Sequence, residues 1–212
     1  ILLFGIFSSM SFLDRCGMIV LLKAASTLFF MNMNKLAFID VETTGSSPYY
    51  DRVIDVGVVV YEYGQIIESW ESLVNPGRSL SPIITKITGL DDHDLMGAPT
   101  FEDIAYDLLK RLEGRVFVGH NVAFDYTFVR QEFLRIGEKL TLPQLCTVRL
   151  SRNLFPDEKK HNLDVIMDRF AISCANRHRA LPDADVTCQF FHRVKTVLPK
   201  EKVDTVVETL IK

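Results

Sequence analysis

Two acidic residues stand at the end of a short apolar segment. Asp40 and Glu42 follow the run Lys35-Leu-Ala-Phe-Ile39, which has the length of a β-strand. Because side chains alternate along a strand, a spacing of two residues places both carboxylates on the same side of the chain. Two anions at the end of an apolar strand are costly unless something positive binds between them. The pair therefore indicates a cation site, although solvated acidic residues at strand ends are equally common.

Three further residues, two aspartates and a histidine, have side chains that can transfer protons or bind metals, and they lie near the starts of predicted helices. Asp125 follows the apolar segment 116–118, and Asp183 lies in the first turn of the last long helix. His178 precedes Asp183 by five positions. The helix dipole stabilises a carboxylate at a helix N-terminus, so each acid also has an ordinary structural explanation. Together the four acids and the histidine indicate a catalytic site more strongly than any one of them does alone.

The elements that must position these residues follow from periodicity and turn chemistry. A β-branched run at 53–61 predicts a strand, and Tyr63-Gly64 predicts a hairpin turn into a second arm at 65–74. Strands first and helices afterwards, with one βαβ-like return, indicate an α/β fold with a mixed central β-sheet flanked by helices. The other predicted elements are strands at 35–40 and 116–118 and helices at 83–87, 100–113, 124–136, 162–170 and 181–197.

Helix caps explain one acidic cluster that imitates a metal site. Ser81-Pro82 predicts a capping residue followed by a proline at the first helical position, and Thr100 with Asp103 predicts a capping box. Asp91-Asp92-His93-Asp94 lies in a turn between two predicted helices. We therefore assign this cluster to capping rather than to metal binding.

The composition narrows the class of protein. Apolar residues make up 48% of the 212 residues, which excludes disordered, collagen-like and low-complexity chains. The net charge is −3, so the chain lacks a global positive field for gripping nucleic acid, and only local patches such as 159–161 and 177–179 could contact phosphates. The cysteines are widely spaced and form no C-x-x-C pair, which predicts reduced thiols in a cytoplasmic protein. They are Cys16, Cys146, Cys174 and Cys188.

Residues 1–34 differ from the rest of the sequence. They are rich in apolar residues and carry only three charges, Asp14, Arg15 and Lys23. Each uncharged run is shorter than the roughly 18–20 residues that span a bilayer, and no positively charged region precedes the first run as in a secretory signal. We predict an apolar extension outside the fold at 1–34, with a membrane-surface or signal-like leader as the alternative. One catalytic domain at 35–198 and a short C-terminal tail at 199–212 complete the predicted organisation.

Three ordered motifs resemble those of the DEDDh family of 3′–5′ exonucleases. They are Phe38-Ile-Asp-Val-Glu-Thr-Thr-Gly45, His120-Asn-Val-Ala-Phe-Asp125 and His178-Arg-Ala-Leu-Pro-Asp183. The connecting segments Ile87-Thr-Gly-Leu90 and His161-Asn-Leu-Asp-Val165 are similar too. Within this family the chain looks most like the proofreading epsilon subunit of bacterial DNA polymerase III and the exonuclease domain of its Gram-positive counterpart. The resemblance covers about residues 35–198, and it implies a ribonuclease-H-like fold and removal of nucleotides from 3′ ends.

The resemblance also implies roles for the acidic residues and the histidine. Asp40, Glu42, Asp125 and Asp183 would bind two divalent cations about 3.5–4 Å apart, which clamp the scissile phosphate. Asp40 would bridge the two ions, Glu42 and Asp183 would complete the water-activating one, and Asp125 would act mostly through the second. Hard oxygen ligands suit Mg²⁺ or Mn²⁺ rather than structural zinc. His178 would take the proton from the attacking water, since an imidazole titrates near neutral pH.

Further residues would contact the substrate if the resemblance holds. Thr43 and Gly45 would approach the 3′-terminal nucleotide through their backbone. Leu90 and Phe124 would pack against the terminal base, because stacking on an apolar face tolerates any base, although plain core packing is the alternative. His120 and Asn121 would line the same site or merely cap the following helix. These six residues are the predicted substrate-binding set.

Three functions are compatible with the sequence. The first is a metal-dependent 3′–5′ exonuclease acting on single-stranded or frayed 3′ ends of DNA, either within a DNA polymerase or alone. The second is an RNA-trimming exonuclease of the same fold, because motifs that bind metal do not test the 2′-hydroxyl. The third is a catalytically silent nucleic-acid-binding module, which is disfavoured because all four acids and the histidine are present. No polymerase-binding or clamp-binding sequence is evident after residue 199.

Overall fold

The sheet is the frame on which the acidic residues are arranged. The computed structural model describes residues 34–211, so most of the predicted 1–34 extension lies outside the described residues. Five strands lie in the order β3-β2-β1-β4-β5. The strands are β1 (Lys35–Thr43), β2 (Val53–Glu62), β3 (Gln65–Leu73), β4 (Val116–Gly119) and β5 (Gln144–Cys146).

Helices cover both faces of this sheet. The helices are α1 (Pro82–Thr88), α2 (Asp92–Met96), α3 (Phe101–Leu112), α4 (Ala123–Arg135), α5 (Thr147–Leu154), α6 (Leu163–Phe170), α7 (Ala180–Val197) and α8 (Lys200–Leu210). The strands β2, β1 and β3 pair antiparallel, whereas β1, β4 and β5 run parallel. The predicted α/β fold with a mixed central sheet flanked by helices is confirmed.

Alternate residues of β1 face opposite layers of the core. Leu36 and Phe38 pack in a cluster with apolar residues of α5, α7 and α8. Ala37, Ile39 and Val41 pack in a second cluster with apolar residues of α3 and α4. Asp40 and Glu42 continue the period-two row of Leu36 and Phe38, which is the α7 side of the sheet. The alternation of side chains along β1 thus places both carboxylates on the side of the sheet that α7 covers.

The predicted caps are present. The Ser81 side chain accepts a hydrogen bond from the Ile84 N–H, and Pro82 is the first residue of α1. Asp91 and Thr100 each cap a helix in a reciprocal capping box, the first with Asp94 and the second with Asp103. The assignment of the 91–94 cluster to capping is confirmed.

The sequence analysis missed four elements: β5, α5, α8 and also α2, whose first residues were predicted as part of a turn. The segment that we predicted as a short tail contains α8, whose Val203, Val207 and Leu210 are buried in the same cluster as Leu36 and Phe38. The packed core therefore extends past residue 198. Within residues 34–211 no helix is both long and apolar enough to cross a membrane. Cys146, Cys174 and Cys188 are free thiols.

Candidate active site

The four predicted acids converge on one pocket. Asp40 and Glu42 come from the end of β1, Asp125 from the first turn of α4 and Asp183 from the first turn of α7. All four line a pocket of about 230 Å³. The other lining residues are Val41, His120, Asn121, Phe124, Leu163, Arg177 and His178.

Asp125 is fixed directly to the strand that carries the acidic pair. Its Oδ1 accepts a hydrogen bond from the Val41 backbone N–H at 3.2 Å, between Asp40 and Glu42 in the chain. Gly119 ends β4, and a short loop joins the strand to α4. A Cβ on Gly119 would lie 3.1 Å from Asp125 Oδ2, so the absent side chain leaves room for the carboxylate.

Asp183 is placed by two residues of β2 that lie opposite the acidic pair. In the β1–β2 register Gly57 faces Asp40 and Asp55 faces Glu42. Asp55 accepts from Arg179 Nε at 2.7 Å and from the Ala180 N–H at 3.2 Å. A Cβ on Gly57 would overlap the backbone of Ala180 and Leu181, so only glycine lets α7 begin this close to the sheet. Asp55 and Gly57 therefore keep the first turn of α7 close to the end of β1.

The carboxylates carry more negative charge than their surroundings balance. Burial raises the pKa of Asp40 well above its usual range, and the charges of Asp125, Asp183 and Glu42 add to the effect. Burial, followed by repulsion from Asp183 and Asp55, raises the pKa of Glu42 to about 7. Burial also raises the pKa of Asp125 to about 8, against the opposing hydrogen bond from Val41. Protons or cations are therefore needed to stabilise the site at neutral pH.

Arg177 is the cation nearest to these acids. Its Nη1 forms an ion pair with Asp183 Oδ1, and its Nε hydrogen-bonds to Asp164 Oδ1 at 3.1 Å. Its positive charge lowers the pKa values of Asp40 and Glu42, although burial and the neighbouring acids outweigh it. Arg179 also lowers the pKa of Glu42, and the two guanidinium groups offset only part of the charge of the four carboxylates.

His178 lies at the solvent side of the pocket. It has a left-handed backbone with φ 63°, and its N–H donates to Asp183 Oδ2 at 3.2 Å. Its side chain is exposed. One ligand atom each of Glu42, His178 and Asp183 lies within 4.8 Å of the other two. This cluster is compatible with a base held beside a metal, and also with His178 as a metal ligand.

His120 and Asn121 line the pocket, and neither caps α4 through a side chain. Burial lowers the pKa of His120 to about 4, so its imidazole is neutral. Its Nδ1 lies 3.0 Å from Thr147 Oγ1, and the Thr147 hydroxyl donates to the Gly119 carbonyl. Asn121 has φ 77° and is exposed. Their predicted contact with the substrate stays a prediction.

The remaining predicted substrate contacts differ in position. Phe124 is partly buried and lines the pocket. Leu90 packs with Ile54 and Leu95 in a small apolar cluster and is not among the pocket-lining residues. Thr43 is buried and donates to the Gly45 carbonyl at 2.5 Å. A contact of Leu90, Thr43 or Gly45 with a terminal nucleotide stays a prediction.

Sequence reasoning missed two positioning residues, Asp55 and Gly57, and one pocket-lining residue, Leu163. Asp55 and Gly57 stand within a β-branched strand, where a charged residue and a glycine are out of place, and that irregularity was the available signal.

The arginines of the basic patch predicted at 177–179 form ion pairs with acidic residues of the protein. Arg177 is paired with Asp183 and Asp164, and Arg179 is paired with Asp55.

Comparisons with known proteins identify the family to which this chain belongs. The sequence pattern of the family Exonuclease (RNase_T) matches residues 37–191. The chain is 33% identical over 169 residues to the DNA polymerase III PolC-type of Caldanaerobacter subterraneus, a match that covers 80% of this chain and 12% of that protein. It is 36% identical over 163 residues to the 3′-5′ exonuclease DinG of Bacillus subtilis, covering 76% of this chain and 18% of that protein. The chain thus spans less than a fifth of the length of these relatives.

Solved exonuclease structures share the fold. Exonuclease X in complex with 5′ overhanging duplex DNA superposes with a TM-score of 0.64 at 22% identity, covering 81% of this chain and 99% of that chain. E. coli exonuclease I in complex with a dA16 oligonucleotide superposes with a TM-score of 0.72 at 20% identity, covering 81% of this chain and 42% of that chain. The ribonuclease-H-like exonuclease fold implied by the resemblance is confirmed.

Proposed function

This chain belongs to the exonuclease family RNase_T, and we propose that it removes nucleotides from the 3′ ends of DNA by divalent-metal-dependent hydrolysis. One observation carries the proposal. Three separate elements bring Asp40, Glu42, Asp125 and Asp183 into one pocket beside His178, with their negative charge only partly balanced. The 3′–5′ exonuclease DinG supports the proposed direction.

The donor set fits hard divalent cations. The four carboxylates supply oxygen ligands, and the raised pKa values of Asp40, Glu42 and Asp125 indicate a site that ionises fully only when positive charge binds. We propose two Mg²⁺ or Mn²⁺ ions, held by Asp40, Glu42, Asp125 and Asp183. Bound ions of this kind lower the pKa of a water molecule and stabilise the charge that develops on phosphate and leaving oxygens.

The chain's own residues would orient and deprotonate the reactants. His178 lies at the open side of the pocket and would accept a proton from the attacking water as a general base. The Asp183 carboxylate, which accepts from the His178 N–H, would hold the backbone of this residue in place. Phe124 and Asn121 line the same pocket and would contact the terminal nucleotide.

Three properties are not established by membership of the exonuclease family. They are the preference for DNA over RNA, action together with a polymerase, and cytoplasmic location. RNA in place of DNA is the second candidate substrate, because metal-binding carboxylates do not distinguish the sugars. The PolC-type relative favours DNA and action together with a polymerase, although the match covers only 12% of that protein. The cytoplasmic location that we predicted from the cysteines also stays a prediction.

Hydrolysis of end-labelled strands tests the proposed function. We would incubate the protein with Mg²⁺ and with 5′-labelled single-stranded DNA, RNA, and duplexes with paired or mispaired 3′ ends. The proposal predicts a ladder of shortening 5′-labelled DNA products that chelation of Mg²⁺ abolishes. Release of the 5′ label as a mononucleotide would contradict the direction, and stronger cleavage of RNA would favour the second candidate.

A further inference from the structure

A second and larger cavity adjoins the acidic pocket. It has a volume of about 700 Å³ and lies between the loop after β4, the strand β5 and the helix α5. His120 and Asn121 line both cavities, so the two are neighbours that share one wall. We call the second cavity the α5 cavity. An extended ligand that leaves the acidic pocket past this wall would enter it.

The charge of the α5 cavity is opposite to that of the acidic pocket. Arg149 and Arg152 line it from one helix at a spacing of three residues, and α5 itself contains no acidic residue. His161 lines it as well. No acidic side chain is among its lining residues. The cavity therefore presents a local positive surface on a chain of net charge −3.

The two arginines of α5 differ from the other arginines near the site. Arg177 pairs with Asp183 and Asp164, and Arg179 pairs with Asp55. Across residues 34–211, by contrast, neither Arg149 nor Arg152 forms an ion pair with a carboxylate, and both are exposed. Their guanidinium groups are free for an anionic ligand, whereas the paired arginines already hold the protein's own acids in place.

The remaining lining suits a nucleic-acid strand rather than a small anion. Val122, Val148 and Leu210 give the cavity apolar surface, and Gln144 adds an amide. Sugar and base faces pack on apolar surface without reading sequence, while guanidinium groups bind phosphates. At the shared wall, Asn121 has φ 77° and an exposed side chain.

We propose that the α5 cavity binds the segment of the substrate strand on the 5′ side of the scissile nucleotide, with Arg149 and Arg152 contacting two backbone phosphates. This proposal rests on the proposed function, because the strand must end in the acidic pocket. It assigns a physical role to the cavity, since four carboxylates alone repel a polyanion. The arginines would compensate for that repulsion next to the site of hydrolysis.

Strand binding in the absence of hydrolysis tests the proposal. We would measure fluorescence anisotropy of labelled single-stranded dT12 and of the matching RNA, with the full chain in EDTA and at several salt concentrations. The double variant Arg149→Gln/Arg152→Gln should bind at least about 10-fold more weakly. Its plot of log affinity against log salt should be shallower by about 1.4, since each phosphate contact on a single strand contributes about 0.7.

A matched variant controls for loss of charge in general. Lys86→Gln/Arg193→Gln removes two exposed cations that line other cavities, and it should bind as the unaltered protein does. Equal affinity and salt slope in the Arg149→Gln/Arg152→Gln variant would overturn the proposal. So would the absence of binding to either strand by the unaltered protein.

Hydrolysis separates this proposal from the proposed function. In the Mg²⁺ assay the double variant should raise KM for long strands and leave kcat near its original value, because neither arginine lies in the acidic pocket. A protein that binds strands through these arginines but hydrolyses none would contradict the proposed function alone. A protein that hydrolyses strands with an unchanged KM in the double variant would contradict the α5 cavity alone.

Discussion

Helix α4 carries two buried carboxylates on the same face, and their surroundings differ in how far they balance the negative charge. Asp125 and Glu132 are seven residues apart, which is two turns of the helix, and they are 3% and 1% exposed. Glu132 accepts two hydrogen bonds from Arg52 Nε, one from Arg52 Nη2 and one from the Val53 N–H, and it also pairs with Arg135. Within residues 34–211, Asp125 forms no ion pair, and backbone N–H groups, among them that of Val41, donate to its carboxylate.

The difference teaches how to tell a structural carboxylate from a functional one. The ion pairs of Glu132 tie α4 to the loop that follows β1, and Arg135 extends the network to the carbonyls of Pro48, Tyr49 and Asp51. Its charge is balanced within the protein. The charge of Asp125 is not, and its pKa rises to about 8. Both carboxylates are buried, so burial alone does not distinguish the structural one from the functional one. The balance of charge around each carboxylate does.

The largest expected effect is the loss of hydrolysis in Asp125→Asn. The amide removes the negative charge of a predicted metal ligand, so hydrolysis should fall to background, by far more than the 10–100-fold cost of losing an outer-shell partner. The melting temperature without metal should hold or rise, because the change replaces an acid whose pKa is raised mainly by burial with a neutral side chain. Rates from the end-labelled DNA assay and thermal melts provide both readouts. Near-normal hydrolysis would remove Asp125 from the site.

A smaller loss of hydrolysis is expected for His178→Ala. Removing a general base should slow the reaction by about 10²–10⁴-fold, while binding of Mg²⁺ and of a DNA 3′ end is retained. Single-turnover rates of both proteins, together with a metal titration, check this. Loss of metal affinity in the variant would instead make His178 a ligand, which its position beside Glu42 and Asp183 allows.

Glu132→Gln is the matched change on the same face of α4, and it should act on stability instead. It leaves Arg52 and Arg135 without their anion, at a cost of about 3 kcal/mol in the free energy of unfolding, the low end for a broken buried pair because both arginines keep some solvent contact. Urea denaturation measures the cost. Hydrolysis well below the melting temperature should remain substantial. A variant that is fully stable but inactive would reverse the assigned roles of Asp125 and Glu132.

Much of this site could be predicted from the sequence, because its acids sit at the ends of strongly patterned elements. Asp40 and Glu42 follow an apolar strand, and the capping residue Thr100 precedes a clear helical pattern. The irregular Asp55 and Gly57 in β2 were visible in the sequence, but their place could not be predicted, since the register that puts Gly57 opposite Asp40 depends on tertiary pairing. The strand β5 was missed because it has three residues, too few to show a period.

The smallest expected effect is on the placement of α7. In Gly57→Ala the new methyl group would overlap the backbone at Ala180 and Leu181, so the start of α7 must shift away from β2. Overpacking of this kind costs about 1–3 kcal/mol of stability. Hydrolysis should fall as well, because Asp183 and His178 move with α7. Thermal melts and the DNA assay check the two effects, and Gly97→Ala, where an added Cβ meets no atom within 4 Å, is the control.

Proton release on metal binding tests the central claim most directly, namely that the unbalanced carboxylates of the pocket exist to hold divalent cations. Without metal, Glu42 has a pKa of about 7 and Asp125 of about 8, and that of Asp40 is well above its usual range, so the pocket holds protons at pH 7 that a bound cation must displace. Calorimetric titration of Mn²⁺ or Mg²⁺ in buffers of different ionisation enthalpy counts these protons. The account predicts release of about one proton or more at pH 7, release that declines above about pH 8, and affinity that rises over the same range. Binding without proton release, or with unchanged affinity in Asp125→Asn, would contradict it.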